Sequence, residues 1–552
     1  MKRSGNPFVD TGLCTIAALA DKSSFEDLKI EDIEEAFNKY DIATINKETK
    51  SFTMIFGTNG PLFQNAFKPK NKEIYIDFLK ALLIEMKKKD TGEICEICGE
   101  KHNFDIDILW REIAKKHNIK VNGKKYVGRD FFPLIGSIGN DAQALPSASR
   151  MLNICPKCLF AVNYIPLGTM LIKGRLICIE STSESIMIDL TKGIVAENLD
   201  RISGGNKEIY GKKEGSSVIY LRLLEYFELL QEVRKQESLP ETVAIYLWLF
   251  SNAGTGADCD MIEIPNKPLK FIWEVSRKSQ SFRNEFLKLI SKDKNGSLFD
   301  CISYGWDYIG LYPKGKYKGV IPEFYEYFQK YIVGKTPKAL NFAKKVAAVM
   351  ISGKEEKELS RIQKSDVFAY SENKNLAKSI MVDLILNGNA NIVDYLELFN
   401  RNDKYLNTNH KEGFDTIMYY LCNSDTLEVT EEEDSLDYKV KSINTHKKIK
   451  TFAELYFKYY VLDKENGAYK GIEKFKKNIL DNFKNFDEYW LKDNFSKLAD
   501  IYECETLKLD YDGWLDFITD EEGNKNIKEL MFQLRLAFAE LYREYIKEGK
   551  LA

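Results

Sequence analysis

Two short motifs of the Cys-x-x-Cys type constrain this chain more than any other feature. The first is Cys95-Glu-Ile-Cys98 and the second is Cys155-Pro-Lys-Cys158, with 56 residues between them. A Cys-x-x-Cys turn presents two thiolates to one ion, and two such turns complete a tetrahedral set of four sulfur ligands that suits zinc. Four thiolates leave no open coordination position for water. We therefore predict a structural zinc site whose ligands are Cys95, Cys98, Cys155 and Cys158.

The spacing leaves other interpretations open. Compact zinc ribbons have roughly 15–20 residues between their two cysteine pairs, so this chain requires an inserted segment, whose closure entropy grows only slowly with length. Cys95, Cys98 and His102 form a smaller alternative ligand set, and a redox pair or free thiols are further alternatives. The remaining six cysteines have no regular spacing, which is typical of reduced, buried thiols rather than of a secreted disulfide framework.

Cysteine usage therefore indicates a reducing compartment, and we expect a cytoplasmic protein. Residues 13–20 imitate a signal sequence, but the run is only eight residues long and follows Pro7 and Asp10. We interpret it as part of a buried helix. No stretch of the sequence approaches the ~18 apolar residues of a membrane span, so we expect no membrane partner.

Hydrophobic periodicity predicts an α+β protein. Residues 30–40, 72–88 and 218–235 have apolar positions at helical spacing, and beyond about residue 340 helical patterns dominate, including residues 527–547. Strand-like runs are predicted at 159–164, 175–180, 186–190 and 242–250. A chain of 552 residues exceeds one compact core. We predict a mixed N-terminal part with an inserted four-cysteine zinc site, followed by a mainly α-helical C-terminal bundle.

Four parts follow from these patterns. They are an α+β N-terminal part (1–90), a zinc-binding insertion with a helix and a polar loop (91–160), an α/β to basic helical region (161–340) and a C-terminal helical bundle (341–552).

Polar segments rich in Gly or Pro are candidates for nucleic-acid contact. Asn and Gln can read base edges, and Ser, Thr and backbone N–H groups suit phosphates. The same residue types also form turns, so turn chemistry is the alternative interpretation. The candidate contacts in these segments are Asn6, Asn59, Asn140, Gln143, Ser147, Asn252 and Thr255.

Charge is concentrated rather than spread evenly. The net charge of −3 argues against a free-standing nucleic-acid binder. Residues 265–350, however, contain 16 Lys or Arg against 7 Asp or Glu. Within this stretch Lys314, Lys316 and Lys318 lie in a Tyr-, Gly- and Lys-rich segment and are predicted phosphate contacts.

Catalytic patterns are weak. Asp258, Asp260 and Glu263 resemble a metal-binding carboxylate cluster, but in an extended strand the first two share a face that Glu263 does not. None of the four His pairs with an activated nucleophile in the sequence. We expect no catalytic site.

Several of these motifs together resemble a known family. They are the N-terminal Gly5-Asn6-Pro7-Phe8-Val9-Asp10-Thr11-Gly12, the two Cys-x-x-Cys pairs and the segment from Phe250-Ser251-Asn252 to Pro265. In combination they resemble the large subunit of type I-B CRISPR effector complexes, over roughly residues 1–270. Beyond that point only the helical character agrees.

The resemblance implies a role in a larger assembly. Such a subunit lies at the foot of Cascade near the 5′ handle of the CRISPR RNA, reads the protospacer-adjacent motif in duplex DNA, aids strand opening and docks the helicase-nuclease. The implied partners are the other Cascade subunits, CRISPR RNA, target double-stranded DNA and the helicase-nuclease. The C-terminal helical part resembles the separate small subunit. RNA pairing supplies the sequence specificity in such complexes, while protein reads only a short duplex motif.

Two other functions stay open. One is a zinc-ribbon, metal-dependent nucleic-acid-processing enzyme with Asp258, Asp260 and Glu263 as ligands; the other is a structural scaffold with a structural zinc. Magnesium-dependent cleavage by the isolated protein favours the enzyme. Binding to duplex DNA only with guide-loaded partners favours the Cascade subunit.

The polar and basic candidates are predicted to respond differently to substitution. Replacing Asn140, Gln143 or Asn252 by Ala should cost ~1–3 kcal/mol of binding to the correct motif, because each removes a base-edge contact. Replacing Lys314 and its two neighbouring lysines should weaken binding to all duplexes and flatten the salt dependence. Affinity measured against matched and altered motifs tests both. Unchanged motif discrimination in the polar variants would contradict the first expectation.

Overall fold

The structure of the protein is a computed structural model. It describes residues 1–49, 55–56, 68, 70–88, 91–128, 130–135, 152–172, 174–206, 217–232, 243–251, 258–292, 297–311, 320–355, 358–359, 363, 367–399, 410–424, 444–465, 469–483, 486–519, 525 and 527–547.

The chain divides into two compact units, Met1–Tyr304 and Gly305–Ala552. The first combines helices with two small antiparallel sheets, and the second is helical where the structure describes it. This confirms the predicted α+β class with a four-cysteine cluster in the N-terminal part and a helical C-terminal region. The finer four-part division stays a prediction.

The elements of the first unit follow in chain order. They are α1 (Pro7–Leu19), α2 (Ile30–Lys39), α3 (Ile42–Glu48), α4 (Asn71–Met86), β1 (Glu93–Ile94), β2 (Lys101–His102), α5 (Ile106–Lys116), α6 (Pro156–Ala161), a 3₁₀ turn (Val162–Tyr164), β3 (Met170–Ile172), β4 (Arg175–Ser181), α7 (Glu184–Ser203), α8 (Val218–Glu232), β5 (Ile245–Ser251), β6 (Asp258–Ile264), α9 (Asn266–Arg277), α10 (Gln280–Lys292) and α11 (Ser297–Tyr304).

The larger sheet is antiparallel, with strand order β3-β4-β5-β6. Cys178 of β4 lies opposite Trp248 of β5, and Leu247 lies opposite Ile262 of β6. Side chains alternate in burial along the first residues of β5, as expected for a strand with one face toward the core. On the other face, the indole N–H of Trp248 donates a hydrogen bond to the Glu180 carboxylate at 2.7 Å.

Helix α1 is the buried centre of the first unit. The Asn6 side chain caps it by accepting from the N–H groups of Phe8 and Val9, and Pro7 occupies the first helical turn, where a missing N–H costs nothing. The polar Thr11 and Thr15 are buried, but each hydroxyl donates to a backbone carbonyl one turn earlier. The helix packs against α7, α6 and β4. The interpretation of residues 13–20 as a buried helix is correct.

Helix α1 crosses α6 at very short range, and a glycine makes this possible. A Cβ added to Gly12 would lie 2.0 Å from the carbonyl oxygen of Ala161, the last residue of α6. Because the obstructing atom belongs to the backbone, the clash cannot be relieved by rotating a side chain. Only glycine fits at this position with α6 in its present place.

Two predicted strands are wrong. Residues 159–164 form the end of α6 and the following 3₁₀ turn, and residues 186–190 lie within α7. Both runs are buried on nearly all sides, so their apolar residues show neither the period of a strand nor that of a surface helix. Short apolar runs of this kind do not distinguish a buried strand from a buried helix. The strand predictions at 175–180 and 242–250 are correct as β4 and β5.

The second unit consists of α-helices with short 3₁₀ and π turns among its described residues. They are a 3₁₀ turn (Tyr308–Leu311), α12 (Pro322–Phe328) with a π turn (Gln329–Val333), α13 (Pro337–Ile351), α14 (Val367–Leu386), α15 (Ile392–Phe399), α16 (His410–Cys422), α17 (Asn444–Phe457) with a π turn (Lys458–Leu462), α18 (Ile472–Phe475) with a π turn (Lys476–Leu480), α19 (Glu488–Ile501), a 3₁₀ turn (Glu505–Leu507), α20 (Tyr511–Ile518) and α21 (Ile527–Lys547).

Helix α21 packs its apolar stripe into the core of the second unit. Its stripe of Leu530, Leu534 and Phe538 is buried, and it packs against α14 and α17. The bounds of α21 agree with the helix predicted at 527–547, because a long amphipathic stripe is the most reliable periodic signal in a sequence.

Among the described helices, none combines the length and the apolar character that crossing a lipid bilayer requires.

The crossing at Gly12 predicts a specific loss of stability. Gly12→Ala should lower the free energy of unfolding by about 1–3 kcal/mol or more, because its Cβ forces α1 and α6 apart. The control is Gly193→Ala in α7, where an added Cβ would meet Arg222 at 3.5 Å, an ordinary contact. This control should be neutral or slightly stabilising, since Ala favours a helix over Gly. Denaturant unfolding of both variants is the measurement; equal effects would contradict the close crossing.

Candidate metal centre

The first pair of ligands lies on a short β-hairpin. Cys95 follows β1, and its backbone N–H donates to the carbonyl of Glu100 at 2.8 Å. The Gly99 N–H closes the turn onto the Cys95 carbonyl at 2.9 Å. Gly99 has φ +74°, a conformation that glycine adopts without strain. This tight turn brings Cys95 and Cys98 to the same side of the hairpin.

The second pair lies at the start of α6. Cys155 is the N-cap residue of α6 and Cys158 is in its first turn, so both thiols lie at the same end of this helix. The hairpin and the approach to α6 are joined by a reciprocal pair of bonds. The Glu96 N–H donates to the Asn153 carbonyl at 2.9 Å, and the Asn153 N–H donates to the Glu96 carboxylate at 2.8 Å.

All four sulfur atoms converge. Their Sγ atoms lie within 4.8 Å of one another. The Cys95–Cys158 pair is 4.0 Å apart and the Cys98–Cys155 pair is 3.6 Å apart. A tetrahedral zinc with Zn–S bonds of ~2.3 Å would hold its sulfurs about 3.8 Å apart. The separation of these sulfurs therefore fits a tetrahedral ion with four thiolate ligands. Cys95, Cys155 and Cys158 are buried, which suits a structural site closed to solvent.

The thiols influence one another's ionisation. Hydrogen bonds, first from Cys155 and then from Cys158 and Cys98, lower the pKa of the Cys95 thiol. Hydrogen bonds with Cys155, Cys95 and Cys98, followed by burial, raise the pKa of the Cys158 thiol. The hydrogen bond with Cys155 also lowers the pKa of the Cys98 thiol, so the two cysteines of the hairpin ionise more readily than Cys158. A divalent cation would replace the thiol protons and allow all four sulfurs to ionise, so metal binding should release protons and weaken in acid.

An ion pair between a buried lysine and a partly exposed glutamate links the two cysteine pairs. Lys157, between Cys155 and Cys158, contacts the Glu100 carboxylate at 2.6 Å. Burial opposes the charge of Lys157, but the Glu100 hydrogen bond and the charge of Cys98 outweigh it, so the pKa of Lys157 is raised. A tetrathiolate site with a divalent ion carries a net negative charge. A nearby ammonium group offsets part of that charge.

The alternative ligand sets are not brought together. Among the residues with described positions, the group of close ligand atoms consists of the four cysteines and omits His102. The His102 Nδ1 instead accepts from the Phe104 N–H at 3.2 Å. Asp258 and Asp260 lie on β6 and both form ion pairs with Arg175, the first at 2.6 Å. Cys98 faces Cys155 across the two turns, and no cysteine is in a disulfide.

Of the predicted nucleic-acid contacts, Asn6 alone lies within the described part of the chain, where it caps α1. Its contact with nucleic acid stays a prediction. The other predicted contacts lie outside the described residues: Asn59, Asn140, Gln143, Ser147, Asn252, Thr255, Lys314, Lys316 and Lys318.

Sequence reasoning missed the supporting residues of the site. Asn153 lies two positions before the second cysteine pair and Lys157 lies within it, while Glu100 follows the first pair. Opposite charges in the two turns were a visible signal for the Lys157–Glu100 pair. No sequence signal identified Asn153, because its role depends on where the hairpin docks.

The first unit thus contains a four-sulfur cluster, formed by two turns that are distant in sequence, that could hold a metal ion. Residues 88–170, which contain both cysteine pairs, match a family model described as CRISPR-associated protein (Cas_CXXC_CXXC). This segment of the chain is therefore similar to a CRISPR-associated family. Comparison with curated proteins and with solved structures finds no match.

The cluster predicts metal binding by the purified protein. The wild type should hold about one metal ion per chain, and Cys155→Ser should lose it together with resistance to proteolysis, because one ligand and one charge are removed. The control is Cys259→Ser, which changes an exposed thiol outside the cluster. Elemental analysis across a pH series is the measurement, and the ion should be released as the pH falls. A metal-free wild type as stable as the metal-loaded one would contradict the site.

Proposed function

We propose that this protein is the non-catalytic large subunit of a type I-B CRISPR Cascade. In this role it recognises the protospacer-adjacent motif in duplex DNA, aids strand opening near the 5′ handle of the CRISPR RNA and docks the helicase-nuclease. The observation that carries the proposal is the match of residues 88–170 to a CRISPR-associated family, over the segment that forms the four-sulfur cluster. The N-terminal motif and the helical C-terminal unit agree with the resemblance described for the sequence.

We further propose that the ion is structural zinc. The sulfur separations of 3.6 and 4.0 Å fit a tetrahedral thiolate shell, and soft thiolate ligands in that geometry select zinc or iron–sulfur centres. Four protein ligands would leave no position for a reacting water. The zinc would fix the hairpin of Cys95 and Cys98 against α6, and the residues inserted between the two pairs would be held at both ends.

The charge distribution supports a subunit rather than a solitary binder. A chain with net charge −3 repels nucleic acid on average, whereas a local basic stretch can contribute phosphate contacts when partners and guide RNA supply the rest. The enzyme alternative is less well supported. Asp258 and Asp260 are each paired with the Arg175 guanidinium, whose charge opposes a metal cation at the same carboxylates.

Assembly with guide-loaded partners tests the proposal. Co-expressed with the other Cascade subunits and a CRISPR RNA, the chain should elute with the complex, and the complex should bind motif-containing duplex DNA only when the chain is present. Cys155→Ser should lower incorporation, while Cys259→Ser should not, because only the former disturbs the cluster.

Two outcomes would contradict the proposal. One is a complex that assembles and discriminates the motif equally well without the chain. The other is magnesium-dependent DNA cleavage by the isolated chain, which would instead support the processing-enzyme alternative.

A further inference from the structure

A cleft of about 680 Å³ lies next to the metal centre in the first unit. Its walls come from segments 91–93, 102–106, 124–127 and 152–154, so it flanks both cysteine pairs in sequence without using any of the four cysteines. A volume of this size is within the range of small-molecule and cofactor sites. The proposed function assigns no role to this cleft.

One buried polar group in the wall lacks a partner. His102 is 3% exposed and lines the cleft. Its Nδ1 accepts from the Phe104 N–H, so the ring proton is on Nε2. Within the described part of the structure, this buried Nε2 has no hydrogen-bond partner. Leaving such a donor unsatisfied is unfavourable, and a ligand with an acceptor atom would satisfy it.

Aromatic rings supply a second feature. Phe104 and Tyr126 are both half-buried lining residues. The Lys124 ammonium lies 5.6 Å from the centre of the Tyr126 ring, and Lys124 itself is exposed. Flat rings stack on nucleobases, and a lysine beside such a ring can contact the adjoining phosphate. Apolar ligands would use the rings but not the lysine or the histidine.

Acceptors complete the wall. Glu93 accepts a hydrogen bond from the Asn153 side chain at 2.8 Å, and both residues line the cleft. The lysines that line it are Lys124 and Lys125. Lys125 is already paired with Asp130 at 2.5 Å. Carboxylate and amide oxygens can accept from the exocyclic amino group of a base. The wall therefore offers a donor, acceptors and stacking surfaces within one nucleotide-sized space.

We propose that this cleft binds one unstacked nucleotide of a single strand. The base would stack on the Tyr126 ring and accept a hydrogen bond from His102 Nε2, while the exposed Lys124 would contact the phosphate. Guide RNA and a displaced DNA strand share this chemistry. The inference rests on the proposed function only for the source of the strand, since the cleft itself is a property of the isolated first unit.

Crosslinking on the full-length, metal-loaded chain tests the cleft. Short single-stranded RNA with 4-thiouridine and DNA with 4-thiothymidine are the probes, and the crosslinked peptides are mapped by mass spectrometry. We expect a crosslink within residues 91–127. RNA alone would identify a guide-type ligand, DNA alone a displaced-strand ligand, and both would support the shared chemistry.

Affinity measured by fluorescence anisotropy is the second readout. Tyr126→Ala should weaken binding at least about fivefold, because the stacking surface is lost, and Tyr126→Phe should retain most of the affinity. The matched control is Tyr489→Ala, which removes an 83% exposed ring from the second unit. Metal content of each variant reports whether the neighbouring cluster is intact.

Failure of this inference is distinguishable from failure of the proposed function. No binding of either probe, or crosslinks that lie elsewhere with affinity unchanged in Tyr126→Ala, would overturn the nucleotide site and leave complex assembly unaffected. A crosslink in the assembled complex from a partner protein to Tyr126 would also overturn it. Binding at the cleft by a chain that fails to join guide-loaded partners would retain the site and reject the Cascade role.

Discussion

The contact between Gly12 and Ala161 is the constraint on which the four-cysteine cluster depends. Helix α6 carries both Cys155 and Cys158, so its position decides where two of the four sulfurs lie. That position is set by α1, which approaches so closely that no side chain is possible at Gly12. Residues near the N-terminus thus determine the geometry of ligands about 140 positions later in the chain. The packing of α1 against α6 therefore belongs to the hydrophobic core and also positions two of the four cysteines.

Because the cluster is tied to the core in this way, a bound ion would contribute differently to the folding free energy than it does in a small zinc module. In small zinc modules the ion supplies nearly all of the folding free energy, on the order of 10 kcal/mol. Here α6 is buried against α1 and α4, and the Asn153–Glu96 bonds already hold the hairpin near it. An ion bound by the four cysteines would therefore complete a junction that packing has largely positioned. Its removal should loosen the hairpin and the segment between the cysteine pairs more than the rest of the core.

The sequence was informative where chemistry or a long period specifies the outcome. Two Cys-x-x-Cys turns identified the four converging residues despite the long gap, because thiolates repel one another unless an ion joins them. The stripe along α21 was equally clear over its 21 residues. Residues 159–164 and 186–190 were mistaken for strands, since burial on all sides removes the polar residues that reveal a period. The Lys157–Glu100 pair and the partnerless His102 depend on tertiary placement, which local patterns do not contain.

The residues of the N-terminal motif have structural roles that are separate from any contact with nucleic acid. Asn6 was predicted to touch nucleic acid, but its side-chain oxygen accepts from two backbone N–H groups at the start of α1. Bidentate reading of a base requires the oxygen and the nitrogen of the amide together. An oxygen already engaged in capping is poorly suited to that task, so any contact by Asn6 would have to use the amide nitrogen alone. Gly12 at the other end of the motif serves packing as well. The motif therefore helps to specify α1 and, through the packing of α1 against α6, the position of two of the four cysteines.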